Sequence, residues 1–282
     1  MMNRAYATLL LGLSGAVAEA AQPPDVACLV LEDGYWQAAE LDMKTGKTRV
    51  LTRSPVDKAR ISWFPDGKLL MSRNDGTLSV LDTSTGSESV VTLEQNPVVD
   101  AAASPDGSRV AFSFSTAIDG NDIWVIDWPG RKVARVLRMP HLQHEPTWSA
   151  DGSTVYFLSG DGGQAHDIWQ YRPETEAKEQ VTVGELYHFD IAAGPKGELA
   201  YSSNRDGNYE LYLRDKRGRS ERLTDDPALD ARPMFAPDGR SLLFESSRSG
   251  TMQIYRIDLK SKRVTPVTKV PGGARQPVWR TS

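Results

Sequence analysis

Short apolar runs, separated by polar turns that contain glycine, recur along the chain. Five of them have three consecutive apolar residues at their centre and follow a tight turn, at residues 69–71, 110–112, 155–157, 199–201 and 242–244. Consecutive apolar positions over so short a length are typical of strands that are buried on both faces. The pattern therefore predicts sheets that are stacked against one another.

The tight turn before each run is itself repeated and sets the period of the chain. It occurs as Phe64-Pro65-Asp66-Gly67, Ser104-Pro105-Asp106-Gly107, Ser149-Ala150-Asp151-Gly152, Gly194-Pro195-Lys196-Gly197 and Ala236-Pro237-Asp238-Gly239. Proline fixes φ at the second position of such a turn, and glycine supplies a positive φ at its end. Successive glycines are 40, 45, 45 and 42 residues apart. This is the period of a four-stranded propeller blade.

Two further strands complete each unit. A polar loop follows the buried run, and third strands are predicted at residues 78–82, 123–127, 168–172, 211–215 and 254–258. Another turn leads to a fourth strand, such as residues 133–137 or 221–224. Near the N-terminus, residues 27–32, 35–42 and 48–52 match strands two to four of a blade that lacks its first strand. Residues 276–279 match the missing first strand.

We therefore predict an all-β fold, a six-bladed β-propeller with four-stranded antiparallel blades, whose ring is closed by one blade shared between the N- and C-termini. Closure of the ring removes the exposed sheet edges that would otherwise pair with other chains.

The first 20 residues have the features of a cleaved signal peptide. Arg4 precedes an apolar stretch over residues 5–13, and Ala18-Glu19-Ala20 resembles a cleavage site. A buried helix is the alternative, but Gln22-Pro23-Pro24 would end it. We expect the mature domain to span residues 21–282 and to be periplasmic or secreted.

Composition narrows the classes of partner. A formal net charge of −4 over 282 residues gives no reason to expect nucleic acid or an anionic membrane surface, and no segment after residue 20 indicates an integral membrane protein. The single cysteine, Cys28, excludes an internal disulfide. We expect it to be buried in a strand, and we expect a monomer without a cofactor.

The repeats resemble those of TolB-type propellers. The resemblance lies in Glu145-Pro146-Thr147-Trp148-Ser149-Ala150-Asp151-Gly152, in Tyr201-Ser202-Ser203-Asn204-Arg205-Asp206-Gly207 with the strand after it, and in Phe244-Glu245-Ser246-Ser247-Arg248-Ser249-Gly250. It implies a non-enzymatic protein that docks a cell-envelope partner, for example a lipoprotein. TolB also has an α/β domain before its propeller, for which we expect no room in this chain. Contact with the rest of the Tol machinery is therefore not implied. Similar repeats also occur in propellers that gate prolyl-oligopeptidase-type enzymes.

Two sets of polar residues are candidates for partner binding on the face formed by the loops between blades and by the turns between second and third strands. One set is a ring of equivalent positions at the start of the innermost strands: Arg60, Asp100, Glu145, Asp190, Arg232 and Gln276. These side chains could instead neutralise one another. The other set contains the four histidines of the chain, which map to one sector: His141, His144, His166 and His188.

The histidines leave a second function open. Imidazoles that converge near Glu145 could bind a transition metal, as in a metal-dependent lyase or hydrolase acting on a sugar or lactone. No Gly-x-Ser-x-Gly elbow or phosphate-binding loop occurs in the sequence. A third possibility is a purely structural accessory of a larger complex. The sequence favours the non-enzymatic scaffold.

Overall fold

The computed structural model describes residues 25–116, 120–160, 166–183 and 188–280. The proposed signal peptide, residues 1–20, lies outside this range. No helix long and apolar enough to cross a membrane occurs in the described part of the chain.

The described residues form 24 strands. These are β1 Val26–Glu32, β2 Tyr35–Leu41, β3 Thr48–Val50, β4 Lys58–Trp63, β5 Lys68–Arg73, β6 Leu78–Asp82, β7 Ser87–Val91, β8 Val98–Ala103, β9 Arg109–Thr116, β10 Gly120–Asp127, β11 Val133–Leu137, β12 Gln143–Trp148, β13 Val155–Gly160, β14 His166–Arg172, β15 Ala177–Gln180, β16 His188–Ala193, β17 Leu199–Ser203, β18 Glu210–Arg214, β19 Ser220–Arg222, β20 Asp230–Phe235, β21 Ser241–Ser246, β22 Gln253–Asp258, β23 Val264–Pro266 and β24 Ala274–Trp279.

The strands form six antiparallel sheets of four, which confirms the predicted six-bladed propeller. Blade 1 has the order β24-β1-β2-β3, so the last described strand is its innermost one and closes the ring. Blades 2 to 6 are β4–β7, β8–β11, β12–β15, β16–β19 and β20–β23. Within these residues the buried apolar side chains form six clusters, one at each junction between neighbouring blades. Burial between blades therefore holds the ring together.

The repeated tight turns also contact one another. A Cβ atom on Gly107 would lie 2.9 Å from Pro65 of the preceding blade, and one on Gly239 would lie 2.9 Å from Pro195. Both glycines have a positive φ. Gly107 and Gly239 are therefore required both for the backbone conformation of the turn and for the close approach of the preceding blade.

A threonine lies two residues after the end of the fourth strand in blades 1, 4, 5 and 6. Its hydroxyl accepts a hydrogen bond from a third-strand amide at 2.9–3.0 Å and donates to the side chain of the residue before that amide at 2.5–2.9 Å. The four residues are Thr52, Thr182, Thr224 and Thr268. This contact explains why one predicted strand, residues 221–224, is Ser220–Arg222 in the structure: Thr224 bonds back to the third strand through its side chain instead of continuing the ladder.

Candidate functional site

Every innermost strand contains a β-bulge near one end. The register with the second strand shifts there in all six blades. In five blades a residue at the bulge has a φ between 49° and 55°. These five, with the equivalent residue of blade 2, are the ring positions singled out in the sequence: Asp100, Glu145, Asp190, Arg232, Gln276 and Arg60. A bulge re-aims its side chain, so the repeat places six polar side chains at equivalent points around the ring.

Three of these side chains accept a hydrogen bond from the backbone of the next blade. Glu145 Oε2 accepts from the Asp190 amide at 2.7 Å, and Asp190 Oδ2 accepts from the Arg232 amide at 3.3 Å. Gln276 Oε1 accepts from the Ile61 amide at 3.1 Å. Glu145, Asp190 and Gln276 therefore link neighbouring blades.

Arginine cannot accept such a bond, and the second strand supplies the acceptor in the two blades that have arginine at this position. In blade 2, which contains Arg60, Ser72 Oγ accepts from the Ala101 amide at 2.9 Å. In blade 6, which contains Arg232, Glu245 Oε1 accepts from the Gln276 amide at 2.6 Å. The two guanidinium groups are thereby left available for side-chain contacts.

A central channel cavity of about 360 Å³ lies between the innermost strands of the six blades. Its lining includes four of the bulge residues and, toward the other end, prolines of the tight turns; these are Arg60, Asp190, Arg232, Gln276, Pro105, Pro195 and Pro237. Between them lie aromatic side chains of the innermost strands, among them Trp63, Trp148 and Phe235. One mouth of the channel is therefore charged, and the rest of the wall is largely apolar.

Opposite charges face each other at the charged mouth. Arg232 Nε lies 3.6 Å from Asp190 Oδ1 and 3.4 Å from Glu245 Oε1, while its side chain stays 33% exposed. Arg60 Nη2 donates to the Pro146 carbonyl at 3.1 Å. Both arginines therefore combine an internal contact with access to the channel.

The two carboxyl groups of this mouth have oppositely shifted pKa values. Burial raises the pKa of Asp190 to about 7, and the charges of Glu145 and Glu245 add to this effect against the opposing charge of Arg232. Burial also acts to raise the pKa of Glu145, but the neighbouring His144 imidazole and the charge of Arg60 outweigh it, so this pKa is lowered. Glu145 is the more strongly ionised of the pair.

The structure brings two of the four histidines together. His144 Nε2 lies 3.1 Å from His166 Nδ1, and the rings are edge to face with centroids 5.0 Å apart. His144 Nδ1 lies 3.6 Å from Glu145 Oε1. His141 is exposed in the loop before β12, and His188 begins β16 in the next blade.

The histidine pair extends into a row of aromatic rings that the sequence did not single out. The His166 ring lies 6.1 Å from that of Phe189, which lies 5.5 Å from that of Tyr209. The row crosses from blade 4 to blade 5. Phe189 is the residue before a bulge position, so its place could have been found from the repeat register.

The described residues contain no group of three or more His, Cys, Asp or Glu arranged to hold a metal ion. The two nitrogens of His144 face different partners, His166 and Glu145. The carboxylate therefore lies on the far side of the imidazole from the other histidine, and the pair offers two ligands where a zinc site needs three or four.

Exposed apolar side chains are concentrated on one face. We use "junction face" for the face formed by the loops between blades and by the turns between second and third strands, and "turn face" for the opposite one. Of the eight large apolar side chains exposed among the described residues, six lie on the junction face: Leu31, Tyr35, Val99, Leu142, Val183 and Leu229. The other two, Val90 and Val133, lie on fourth strands at the outer rim.

The closed ring of four-stranded blades defines the class of the protein, a six-bladed β-propeller. Residues 174–282 match the family described as the TolB beta propeller domain. This match, with the sequence and structural likenesses below, supports a TolB-type propeller.

The curated relatives are longer than the part they share with this chain. An uncharacterized protein of Agrobacterium fabrum is 25% identical over 80% of this chain and 64% of its own length. A TolB homolog of Chlorobium chlorochromatii is 30% identical over 50% of this chain and 32% of its own length. The Tol-Pal system protein TolB of Francisella tularensis is 23% identical over 64% of this chain and 42% of its own length. The chain thus spans less than two thirds of each.

Solved structures show the same fold at low identity. TolB from Acinetobacter baumannii superposes with a TM-score of 0.79 at 20% identity, over 91% of this chain and 66% of that one. An oligogalacturonate lyase in complex with manganese superposes with a TM-score of 0.58 at 19% identity, over 88% of this chain and 80% of that one. The fold is therefore shared by a TolB protein and by an enzyme.

Proposed function

We propose that this chain is a non-enzymatic scaffold that docks a protein partner of the cell envelope on its junction face. The observation that carries this proposal is the concentration of exposed apolar side chains there. Single apolar residues on a surface are ordinary, but their grouping on one face, around a charged channel mouth, is typical of an interaction surface. Loops held by a rigid scaffold are also where binding residues are most often found.

The bulge residues divide into two roles under this proposal. Glu145, Asp190 and Gln276 hold blades together through their acceptor atoms and keep the mouth in shape. Arg60 and Arg232 reach the channel and contribute charged contacts to the partner, since arginine is favoured at the centre of protein interfaces. The remaining proposed contacts are Asp100 and the histidines His141, His144, His166 and His188.

The names of the relatives suggest the kind of partner. A protein named as part of the Tol-Pal system is among them, and TolB structures share the fold. We therefore propose an exported, periplasmic or secreted monomer, with residues 1–20 as its cleaved signal and residues 21–282 as the propeller. Its partner is a cell-envelope protein, and a lipoprotein is the first candidate to test.

Site-specific photo-crosslinking in cell-envelope extract tests the docking face. A crosslinking amino acid at Leu142 or Leu229 is expected to give the same single adduct, which mass spectrometry identifies. Matched positions at the outer rim, Val90 and Val133, are expected to give none. A common adduct from the rim positions alone, or no common adduct from the junction face, would contradict the proposal.

A metal-dependent lyase or hydrolase acting on a sugar or lactone is the second candidate. The observation in its favour is the His144–His166 pair, with two imidazole nitrogens 3.1 Å apart. The position of Glu145 on the other nitrogen of His144 argues against it. Stoichiometric metal in the purified protein, lost on replacing both histidines by alanine, would favour this enzyme over the scaffold.

A further inference from the structure

Basic side chains on the junction face are largely engaged by acidic partners or buried. Arg73 Nη2 lies 2.7 Å from Asp75 Oδ2, and Arg248 Nη2 lies 2.7 Å from Asp230 Oδ2. Lys58 is buried and donates three hydrogen bonds, the shortest at 2.6 Å. These cations serve the internal structure, so this face presents few uncompensated positive charges.

The turn face has the opposite character in blades 5, 6 and 1. Besides Arg219, which pairs with Asp215, the turns between their third and fourth strands carry six exposed basic side chains: Lys44, Lys47, Lys216, Arg217, Lys260 and Arg263. Within residues 25–116, 120–160, 166–183 and 188–280, none of the six has a carboxylate oxygen within 4.0 Å of its nitrogens. We call these six residues the basic surface.

The acidic residues of the same turns do not cancel this charge. Glu40, Asp215 and Glu221 pair with other bases, which are Arg49, Arg219 and Lys262. Asp42 and Asp258 accept hydrogen bonds from backbone amides of their own turns. Two carboxylates therefore remain against six cations, and the balance is positive.

The three turns are also contiguous. Lys262 Nζ of blade 6 contacts Glu221 Oε1 of blade 5 at 3.0 Å. On the other side, Gly46 of the blade 1 turn lies so close to blade 6 that a Cβ atom would come within 2.1 Å of the Val267 carbonyl oxygen. The basic surface is therefore one patch that spans half of the ring.

We propose that this basic surface binds anionic phospholipid headgroups and that the chain associates peripherally with a membrane through its turn face. Lysine and arginine on short turns of one face can all reach a flat anionic surface at once, with about a fivefold gain in partitioning for each charge. The formal net charge of −4 conceals this surface because acidic side chains elsewhere in the chain outweigh it.

A lipid surface fits these turns better than a nucleic acid does. Binding of single strands relies on aromatic side chains that stack on the bases and on a groove that follows the backbone. The three turns, residues 42–49, 215–220 and 258–263, contain no aromatic residue. Their basic residues project from separate hairpins instead of lining one groove.

Sedimentation with lipid vesicles tests the proposal on the full chain. Vesicles with 30% phosphatidylglycerol in phosphatidylcholine are expected to bind the protein at low salt, less so at physiological salt. Pure phosphatidylcholine vesicles are the reference for any binding through the apolar N-terminal segment. Lys216→Gln with Lys260→Gln is expected to lower partitioning into the anionic vesicles by about 25-fold.

A matched pair on the junction face, Arg53→Gln with Lys269→Gln, changes the net charge equally and is expected to change partitioning less than twofold. Equal loss in both pairs, or equal binding of the native chain to neutral and anionic vesicles, would overturn the proposal. So would tight binding of a DNA oligonucleotide without vesicle binding. The crosslinking positions that test docking, Leu142 and Leu229, lie on the opposite face, so either proposal can fail while the other stands.

Discussion

Glu245→Ala is expected to destabilise the protein by about 3 kcal/mol, because Glu245 links blade 6 to the blade shared between the two ends of the chain. Its side chain is 1% exposed. Oε1 accepts the Gln276 amide at 2.6 Å and lies 3.4 Å from Arg232 Nε, and Oε2 lies 3.3 Å from Arg275 Nε. Alanine removes all three contacts at once.

The magnitude follows from how buried each partner is. The Gln276 amide is buried, and leaving it without an acceptor costs about 1–3 kcal/mol. Arg232 and Arg275 are 33% and 37% exposed, so water can replace part of each contact and each loss is about 0.5–1 kcal/mol. Glu245→Gln keeps an oxygen acceptor but no charge, and is expected to cost about half as much.

Urea unfolding at pH 7 measures these losses. The control is Glu221→Ala, which removes an ion pair to Lys262 from a side chain that is 61% exposed and is expected to cost at most about 1 kcal/mol. The contacts of Glu245 do not hold blade 1 to blade 6 if Glu245→Ala lowers the free energy of unfolding no more than the control does. The same conclusion follows if Glu245→Gln lowers it more than Glu245→Ala.

Three further outcomes are expected. Gly46→Ala should lower the thermal midpoint much more than Gly86→Ala does. Both positions have a positive φ, but only at Gly46 would the methyl group meet a backbone oxygen, that of Val267. Similar shifts in the two variants would show that Gly46 and Val267 are not in close contact. The raised pKa of Asp190 means that the folded state holds the proton of this carboxyl more tightly than the unfolded state does. The free energy of unfolding should therefore fall as pH rises from about 4, the unfolded pKa, to about 7. The urea midpoints of Asp190→Asn at pH 5 and pH 7.5 should differ less than those of the native chain, and an unchanged difference would exclude Asp190 as the cause. Elemental analysis of tag-free protein should find no stoichiometric zinc, manganese or nickel, and one equivalent would favour the enzyme.

The sequence predicted the ring because its signal is local and repeated. Turns with a fixed period and apolar runs after them place most strands within two residues, and the match of residues 276–279 to a first strand predicted that β24 would pair with β1. The ends of the fourth strands depend on contacts that are not local. Thr224 has the apolar neighbour and the β-branched side chain of a strand residue, yet its hydroxyl bonds to Leu211 and Glu210.

The site could be predicted only in part. Equivalent positions in a repeat are visible in one dimension, so the six bulge residues were found together. What they contact depends on the neighbouring blade. Nothing local to Ser72 or Glu245 shows that these residues replace the acceptor missing in an arginine-bearing blade. The grouping of basic side chains on the turn face is equally invisible in a net charge, because it requires knowing which turn lies on which side.

The affinity of the crosslinked partner for two matched double variants tests the central claim most directly. Leu142→Glu with Leu229→Glu places two charges on the junction face, and Val90→Glu with Val133→Glu places two at the outer rim, on side chains of comparable exposure. In calorimetric titration the first pair is expected to weaken binding by at least about tenfold, equivalent to about 1.4 kcal/mol, and the second by less than twofold. Loss of binding in the rim pair with native affinity in the junction pair would contradict the account.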